Sequence, residues 1–381
     1  MSEKQIIVIR STYTPAGGVE RVTVSLIEGL LKKGLRVTLL SMPNQKWPLA
    51  GPQLEIVPVG IGRGHRLLQA WSFNRGVRRY LFRYRTSCVL SLDKVVGFTH
   101  LHAGGGTHKT FLSIRRRYHR GAAGFFQRIS LFHRYILYLE KKGFESPYLQ
   151  KVRCNSSLVR DDIRRDYDVP LEKLIVVPSG IRWKEMGPVF DDRRVVAAEL
   201  CRRHRLQSEW KMLLFLGSGF ARKGLDVAIR GLSHFASDYH LVIIGKGRSG
   251  SYRKLASDMG LGERVHFLGP QPSGWRFAAL ARAIVLPSQY DPFGGAAAEG
   301  HAMGIPALVS DKTGYADGVI HGQNGVILKT PMTDIAIRQA FAMLQALIES
   351  PTWTAEQFRE HARQVDDDVI LERLMEDFLS V

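Results

Sequence analysis

Cysteine is scarce, and what there is does not pair. The three residues Cys88, Cys154 and Cys201 are far apart, odd in number and without metal-ligand spacing, which excludes a disulfide framework and a zinc site. No uninterrupted apolar run approaches the roughly 20 residues that a membrane-spanning helix needs. The opening MSEKQIIVIRSTY passes from charge straight into a strand-like run, unlike a signal peptide, so the expectation is a soluble chain kept inside the cell. Sequence repeats with a period of roughly 20 to 50 residues, the mark of solenoids and propellers, are missing as well. Acid is in deficit: 35 Asp and Glu stand against 54 Lys and Arg, a formal net charge of +19. Such a balance implies a negatively charged partner, which nucleic acid, an anionic membrane or a phosphorylated substrate would each satisfy.

What is present is an alternation of short buried strands, glycine turns and helices. At 381 residues the chain is about two domains long. QIIVIRS reads as a strand, YTPAGGVERVTVSLIEGLLKKG as a loop and a helix capped by Gly34, and RVTLLSM as a second strand. That order is a βαβ unit, which calls for a parallel sheet with its ligand at the carboxyl ends of the strands. LEIVPVG, CVLSLDKVVGF and KVRCNSS continue it, a helical VRDDIRRDYDVP follows, and KLIVVPSGI closes the first domain. The pattern restarts at KMLLFLGSGFARKGLDVAIRGLSHF and runs through HLVIIGKG, RVHFLGP, AIVLPSQY and PALVSD to closing helices. The expected boundary lies near Ile181 to Gly187.

Residues Tyr290 to His301 read YDPFGGAAAEGH. The turn at Asp291-Pro292 and the pair Gly294-Gly295 predict a loop entering a helix near Ala296. A helix N-terminus offers unpaired N–H groups to an anionic or hydroxylated ligand, small side chains allow close approach, and two acids flank the place. A tight loop with a capping Asp and a solvated Glu would read the same way.

The surrounding motifs carry a resemblance. Pro287-Ser288, Tyr290, Asp291-Pro292-Phe293-Gly294, Glu299, Gly304-Ile305-Pro306, Gly314 and Asn324-Gly325 stand in the order found in retaining glycosyltransferases of family 4, with their Glu-x7-Glu frame. GGVER (Gly17 to Arg21), CNSSLVRDDI and VVPSGI extend the likeness into the first half. The resemblance, which extends to the lipopolysaccharide core glucosyltransferases, implies an α/β protein with two Rossmann-like doubly wound domains facing across a cleft, the GT-B fold. It implies an acceptor domain over 1–183, a nucleotide-sugar donor domain over 184–355, and a helical segment over 356–381 that packs back toward the first domain.

By the same resemblance Glu299 holds the ribose hydroxyls, while Asp291, in place of the commoner Glu, and the amides near Gly294 and Gly295 hold the sugar. Gly219, Arg222 and Lys223 in FLGSGFARKG serve the diphosphate, with Ser218 where many relatives have arginine. Gly17 and Gly18 complete the phosphate site, and Gly245 with the HFLG turn at Phe267 and Leu268 lines the base. In HLHAGGGTHKTFL, similar to an acceptor-side loop, His102, His108 and Lys109 surround three glycines, and His108 is the candidate for orienting hydroxyls. A retaining enzyme is thus implied that moves a hexose, glucose from UDP-glucose being the expectation, to a lipopolysaccharide-core or related glycolipid without cofactor or metal.

After that loop, Arg115, Arg116, Arg117, Arg120, Arg128 and Arg134 are interleaved with Phe125, Phe126, Phe132, Tyr135 and Tyr138, and HRLLQAWSFNRGVRRYLFRYR is a second basic, aromatic stretch. Cations beside exposed rings suit an anionic membrane; an ordinary solvated face would look similar. The expected location is peripheral, on the inner face of the cytoplasmic membrane. Two rival classes stay open: a basic nucleic-acid-binding protein, which leaves the nucleotide-sugar motifs unexplained, and a GT-B-fold epimerase or phosphorylase, the latter without a lysine-anchored pyridoxal context.

Overall fold

The computed structural model describes residues 5–14, 18–84, 86, 88–118 and 130–379. They group into two compact units, one formed by Met1–Pro178 together with Leu371–Val381 and the other by Ser179–Ile370.

The first unit holds strands β1 (Gln5–Ile9), β2 (Arg36–Ser41), β3 (Leu54–Pro58), β4 (Cys88–Ser91), β5 (His100–His102), β6 (Lys151–Cys154) and β7 (Leu174–Val176) in the order β3-β2-β1-β4-β5-β6-β7. Every pairing is parallel. The strand order reverses between β1 and β4, the point at which doubly wound sheets place their ligands. Because helices cover a parallel sheet on both faces, its strands are apolar throughout rather than alternating: in IIVI of β1 all four side chains are buried. Gly29, in the helix Gly18–Lys32, takes the last helix against it, so that an added Cβ would lie 2.9 Å from Met375 Sδ.

The second unit repeats the plan with β8 (Lys211–Leu216), β9 (Tyr239–Ile244), β10 (Val265–Gly269), β11 (Ala281–Leu286), β12 (Ala307–Ser310) and β13 (Gly325–Leu328), ordered β10-β9-β8-β11-β12-β13 and again parallel. Alternate residues feed two cores. Leu213, Phe215, Leu241, Ile243, Ala283 and Val285 pack with Val227 and Phe341 on one face, and Met212, Leu214, Val242, Ile244 and Ile284 pack with Met186, Phe190 and Ala298 on the other. A fully buried ring such as Phe341 contributes about 2–3 kcal/mol.

The division of the chain differs from the expected one at both ends. The first unit stops at Pro178 rather than 183, and 356–370 stays with the second unit. Side chains explain the second difference: Arg359 stacks 4.0 Å from the Trp183 ring centre and donates to the carbonyls of Ala302 and Trp183. Ile181 and Asp366 also form a parallel bridge. From Leu371 onward the chain belongs to the first unit. No helix among the described residues is long and apolar enough to cross a membrane.

Candidate active site

In the second unit the turns leaving β8, β9 and β11 are pressed together at the carboxyl edge of the sheet, and glycine makes this possible. Gly224 sits at φ +74°, and a Cβ there would come 2.0 Å from the Pro287 carbonyl oxygen; one on Gly245 would come 2.1 Å from that of Gly217. The loop after β8 therefore lies directly on the loop after β11. It carries Arg222 and Lys223 in the short helix Phe220–Lys223, pinned by the buried Phe220 ring.

Two groups expected at opposite ends of a donor meet here. The Lys223 ammonium contacts Asp291 Oδ2, with the two side chains 12% and 10% exposed, and Arg222 lies 3.9 Å from Oδ1. Arg222 also donates to the Tyr290 carbonyl at 2.9 Å and accepts from Gln289 N–H through its own carbonyl. Asp291 is held by its backbone as well, its N–H on the Lys312 carbonyl and its carbonyl on Gly314 N–H, both at 2.8 Å. Rather than projecting alone toward a sugar, Asp291 is a buried acid with a cation attached.

The predicted helix runs over Gly295–Ala302, entered through Gly294 at φ +85°, where a Cβ would strike Thr313 Cγ2. Glu299 is its fifth residue and half-buried. His301, two residues on, fixes the helix. Its ring is fully buried between the Tyr315 hydroxyl at 3.1 Å and the Asn324 carbonyl at 3.0 Å, and burial pushes its pKa down to about 3. His301 was not singled out from sequence, because a histidine at the end of a motif carries no mark of its burial.

The remaining phosphate and base candidates are placed less simply. Gly219 N–H is taken by the Lys246 carbonyl at 3.0 Å, so this glycine offers a ligand close approach rather than a donor, and the Ser218 hydroxyl accepts from Lys246 N–H. Phe267 and Leu268 lie within β10 rather than in a turn. The Leu268 carbonyl is occupied by the Gln271 amide at 2.8 Å, and Arg253 covers the Phe267 ring. Gly245 N–H binds the Gly269 carbonyl. Gly18 opens its helix; Gly17 lies outside the described residues.

A second site belongs to the first unit alone. A cavity of about 540 Å³ opens where β1, β4 and β5 end, lined by Arg10, Asp93, Lys94, His102, Gly104 to Gly106, His108 and the helix Leu131–Phe144, among others. His108 is buried, and its Nε2 lies 3.1 Å from His133 Nδ1. Burial first, then the charges of Lys94, His133 and Arg66, lower its pKa to about 3. Its backbone N–H donates to Glu140 at 2.6 Å, which also receives Lys94 Nζ at 2.6 Å and the Tyr167 hydroxyl. His102 accepts at Nδ1 from Arg153, whose fully buried guanidinium also binds the carbonyls of Val177 and Pro178. Glu140, His133 and Arg153 were not singled out from sequence; the one available signal was Glu140 as a lone acid in the apolar run YILYLEKK.

The basic segment divides. Arg115 is half-buried and lines the cavity, whereas Arg116 is exposed. The side chain of Arg117, and Arg120, Phe125 and Phe126 entirely, lie outside the described residues. The second basic stretch forms the helix Arg66–Arg83, which has no acidic residue and exposes Leu68, Trp71 and Phe82 beside Arg75, Arg78 and Arg79.

Residues 16–182 match the family Glycosyltransferase Family 4 and residues 198–365 match Glycosyl transferases group 1. The lipopolysaccharide glucosyltransferase WaaG of Escherichia coli K12 is 21% identical over 364 residues, 93% of this chain and 92% of that protein. A crystal structure of WaaG superposes with a TM-score of 0.76 at 18% identity, covering 99% of this chain and 100% of the other. HepE from Anabaena, solved with UDP-glucose, superposes at 0.68 with 14% identity over 99% and 100%. This chain therefore belongs to the GT-B glycosyltransferases, with a Glycosyltransferase Family 4 domain followed by a Glycosyl transferases group 1 domain.

Proposed function

We propose that the protein is a retaining hexosyltransferase that takes glucose from UDP-glucose and delivers it to a lipopolysaccharide-core or related glycolipid. The observation that carries this reading is the Lys223–Asp291 pair beside Arg222, at the carboxyl edge of the sheet and next to the helix bearing Glu299. Lysine has three N–H donors, and Asp291 uses one, leaving the others for a diphosphate. Arg222 adds a second cation where charge builds on the departing oxygen, an effect that supplies several kcal/mol in comparable sites. Glu299 accepts the two ribose hydroxyls, and Asp291 Oδ1 with the chain at Gly294 and Gly295 receives the sugar. The C1–oxygen bond to the diphosphate breaks, and an acceptor hydroxyl attacks on the face the diphosphate leaves. Its proton passes to the departing phosphate oxygen. His108 is a weak base, because burial lowers its pKa to about 3 and its Nε2 is engaged with His133.

The likeness to WaaG, a lipopolysaccharide glucosyltransferase, supports the acceptor class, and the likeness to HepE, crystallised with UDP-glucose, supports the donor. The helix Arg66–Arg83, cationic and with exposed Trp71 and Phe82, together with Arg116, supports attachment to an anionic membrane. Calorimetry with UDP, GDP and ADP and their glucose conjugates in chelator-treated buffer tests the donor side. UDP is expected to bind best, glucose to tighten it, and Glu299→Ala to weaken it at least tenfold; unchanged UDP affinity in that variant removes Glu299 from the ribose site. The triple change Arg78→Ser, Arg79→Ser, Phe82→Ser should reduce sedimentation with phosphatidylglycerol vesicles while sparing UDP, and equal sedimentation would make the helix an ordinary solvated face.

A further inference from the structure

The cavity of the first unit carries an imbalance of charge that the proposed donor chemistry does not use. Four of its lining residues are basic, Arg10, Arg66, Lys94 and Arg115, and two are acids, Asp93 and Glu140. Each acid already has its cation: Asp93 pairs with Arg10 at 2.6 Å, and Glu140 with Lys94 at 2.6 Å. Glu140 is further saturated by the N–H groups of His108 and Lys109 and by the Tyr167 hydroxyl. Arg66 and Arg115 are left over, and neither forms an ion pair among the described residues. Both line the same cavity as His133, whose pKa is lowered by burial first and then by the charges of Arg115 and Arg66.

The apolar walls beside them give the shape of the rest of the ligand. Arg66 lies over the Phe132 ring at 4.7 Å from its centre, which fixes the guanidinium plane while leaving its N–H edges available. Phe111 stacks against His108 and is partly exposed at the cavity wall, and Ile136 continues the apolar surface. Two guanidinium groups, uncompensated and forked, match a doubly charged tetrahedral anion with several acceptor oxygens.

We propose that this cavity is a phosphate-monoester site: Arg66 and Arg115 bind the phosphoryl group of a phosphorylated acceptor whose carbon skeleton lies on Phe111, Phe132 and Ile136. The ligand's role as acceptor rests on the glycosyl-transfer reading; the phosphate chemistry does not. The phosphoryl group can be carried by a sugar or by a lipid, and the same recognition serves both.

The test is calorimetric titration of the full chain with glucose 6-phosphate, with glucose, and with dihexanoyl phosphatidic acid against dihexanoyl phosphatidylcholine. At least one phosphate monoester is expected to bind tenfold or more tightly than its uncharged or zwitterionic counterpart. Arg66→Ser and Arg115→Ser should each lose roughly tenfold, the Lys replacements should recover part of it, and Lys33→Ser, an exposed cation elsewhere on this unit, should change nothing. Binding of glucose 6-phosphate assigns the phosphate to a sugar, and binding of phosphatidic acid alone assigns it to a lipid, with the same arginine dependence required in either case. Absence of any preference for the monoesters overturns the proposal, as does an equal loss in Lys33→Ser, which would reduce the effect to diffuse charge. UDP titration of the same proteins keeps the two readings apart: failure of wild type to bind UDP removes the donor assignment and leaves this site standing, and unchanged UDP affinity in the arginine variants shows that they fold.

Discussion

Removing the Asp291 carboxylate should destabilise the second unit by about 3 kcal/mol. Lys223 is 12% exposed and its partner 10%, so Asp291→Ala leaves an ammonium nine-tenths covered without the carboxylate it contacts, and Arg222, 3.9 Å from the other carboxylate oxygen, loses the same neighbour. Breaking a buried pair from one side costs about 3–5 kcal/mol; the lower end applies because the lysine chain can turn its head toward water. For a unit of this size each kcal/mol lowers Tm by about 2–4 °C, which gives a drop of roughly 6–12 °C in a thermal melt. Lys223→Met in the same chain removes the stranded charge, and the double variant should regain about 2 kcal/mol of the loss, a non-additivity that only a direct interaction produces. Ligand binding should separate the partners: Asp291→Ala retains UDP affinity but loses the gain from glucose, whereas Lys223→Met weakens UDP itself about tenfold. A shift below 2 °C for Asp291→Ala, or strict additivity in the double variant, would refute the coupling.

Two further outcomes follow from the same geometry. Gly224→Ala forces a Cβ to within 2.0 Å of a main-chain carbonyl at positive φ; a loss above roughly 2 kcal/mol is expected, with UDP binding lost alongside, and a wild-type melt would show that the β8 and β11 loops are not in contact. The buried neutral His301 has a folded pKa of about 3 against roughly 6.5 when unfolded. Its contribution is therefore complete above pH 6.5 and declines as pH falls toward 3, by about 1.4 kcal/mol per unit. Urea titrations at pH 7, 6 and 5 should show this slope, shallower in His301→Gln, and a slope unchanged by that substitution would place the acid sensitivity elsewhere.

The architecture was largely legible because its signals are local. Runs such as QIIVI and KMLLFL are apolar at every position, as parallel strands covered on both faces must be, and the glycines after β8 and before the helix at Gly295 mark turns with their own chemistry. What could not be read were the partners. That Lys223 meets Asp291 depends on two loops 68 positions apart being pressed together at Gly224. That His108 is tied down by Glu140 depends on a helix 32 positions away. The hold of Arg359 on Trp183, both in the second unit, is of the same kind and spans 176 positions.

Arg153 has a consequence for proton chemistry in the first unit. A guanidinium can only donate, so its bond to His102 Nδ1 at 3.0 Å requires a lone pair on that nitrogen. Burial, with the charges of Arg153 and Arg10, holds the His102 pKa well below its ordinary value, so the ring carries a single proton, and that proton is on Nε2, the atom facing the Gly104 turn. One tautomer is thus imposed, one that nitrogen-15 chemical shifts would identify. It can give a hydrogen bond to an oxygen in the cavity but has no lone pair there with which to take a proton from a bound hydroxyl. As long as Arg153 stays in place, His102 is barred from acting as a base.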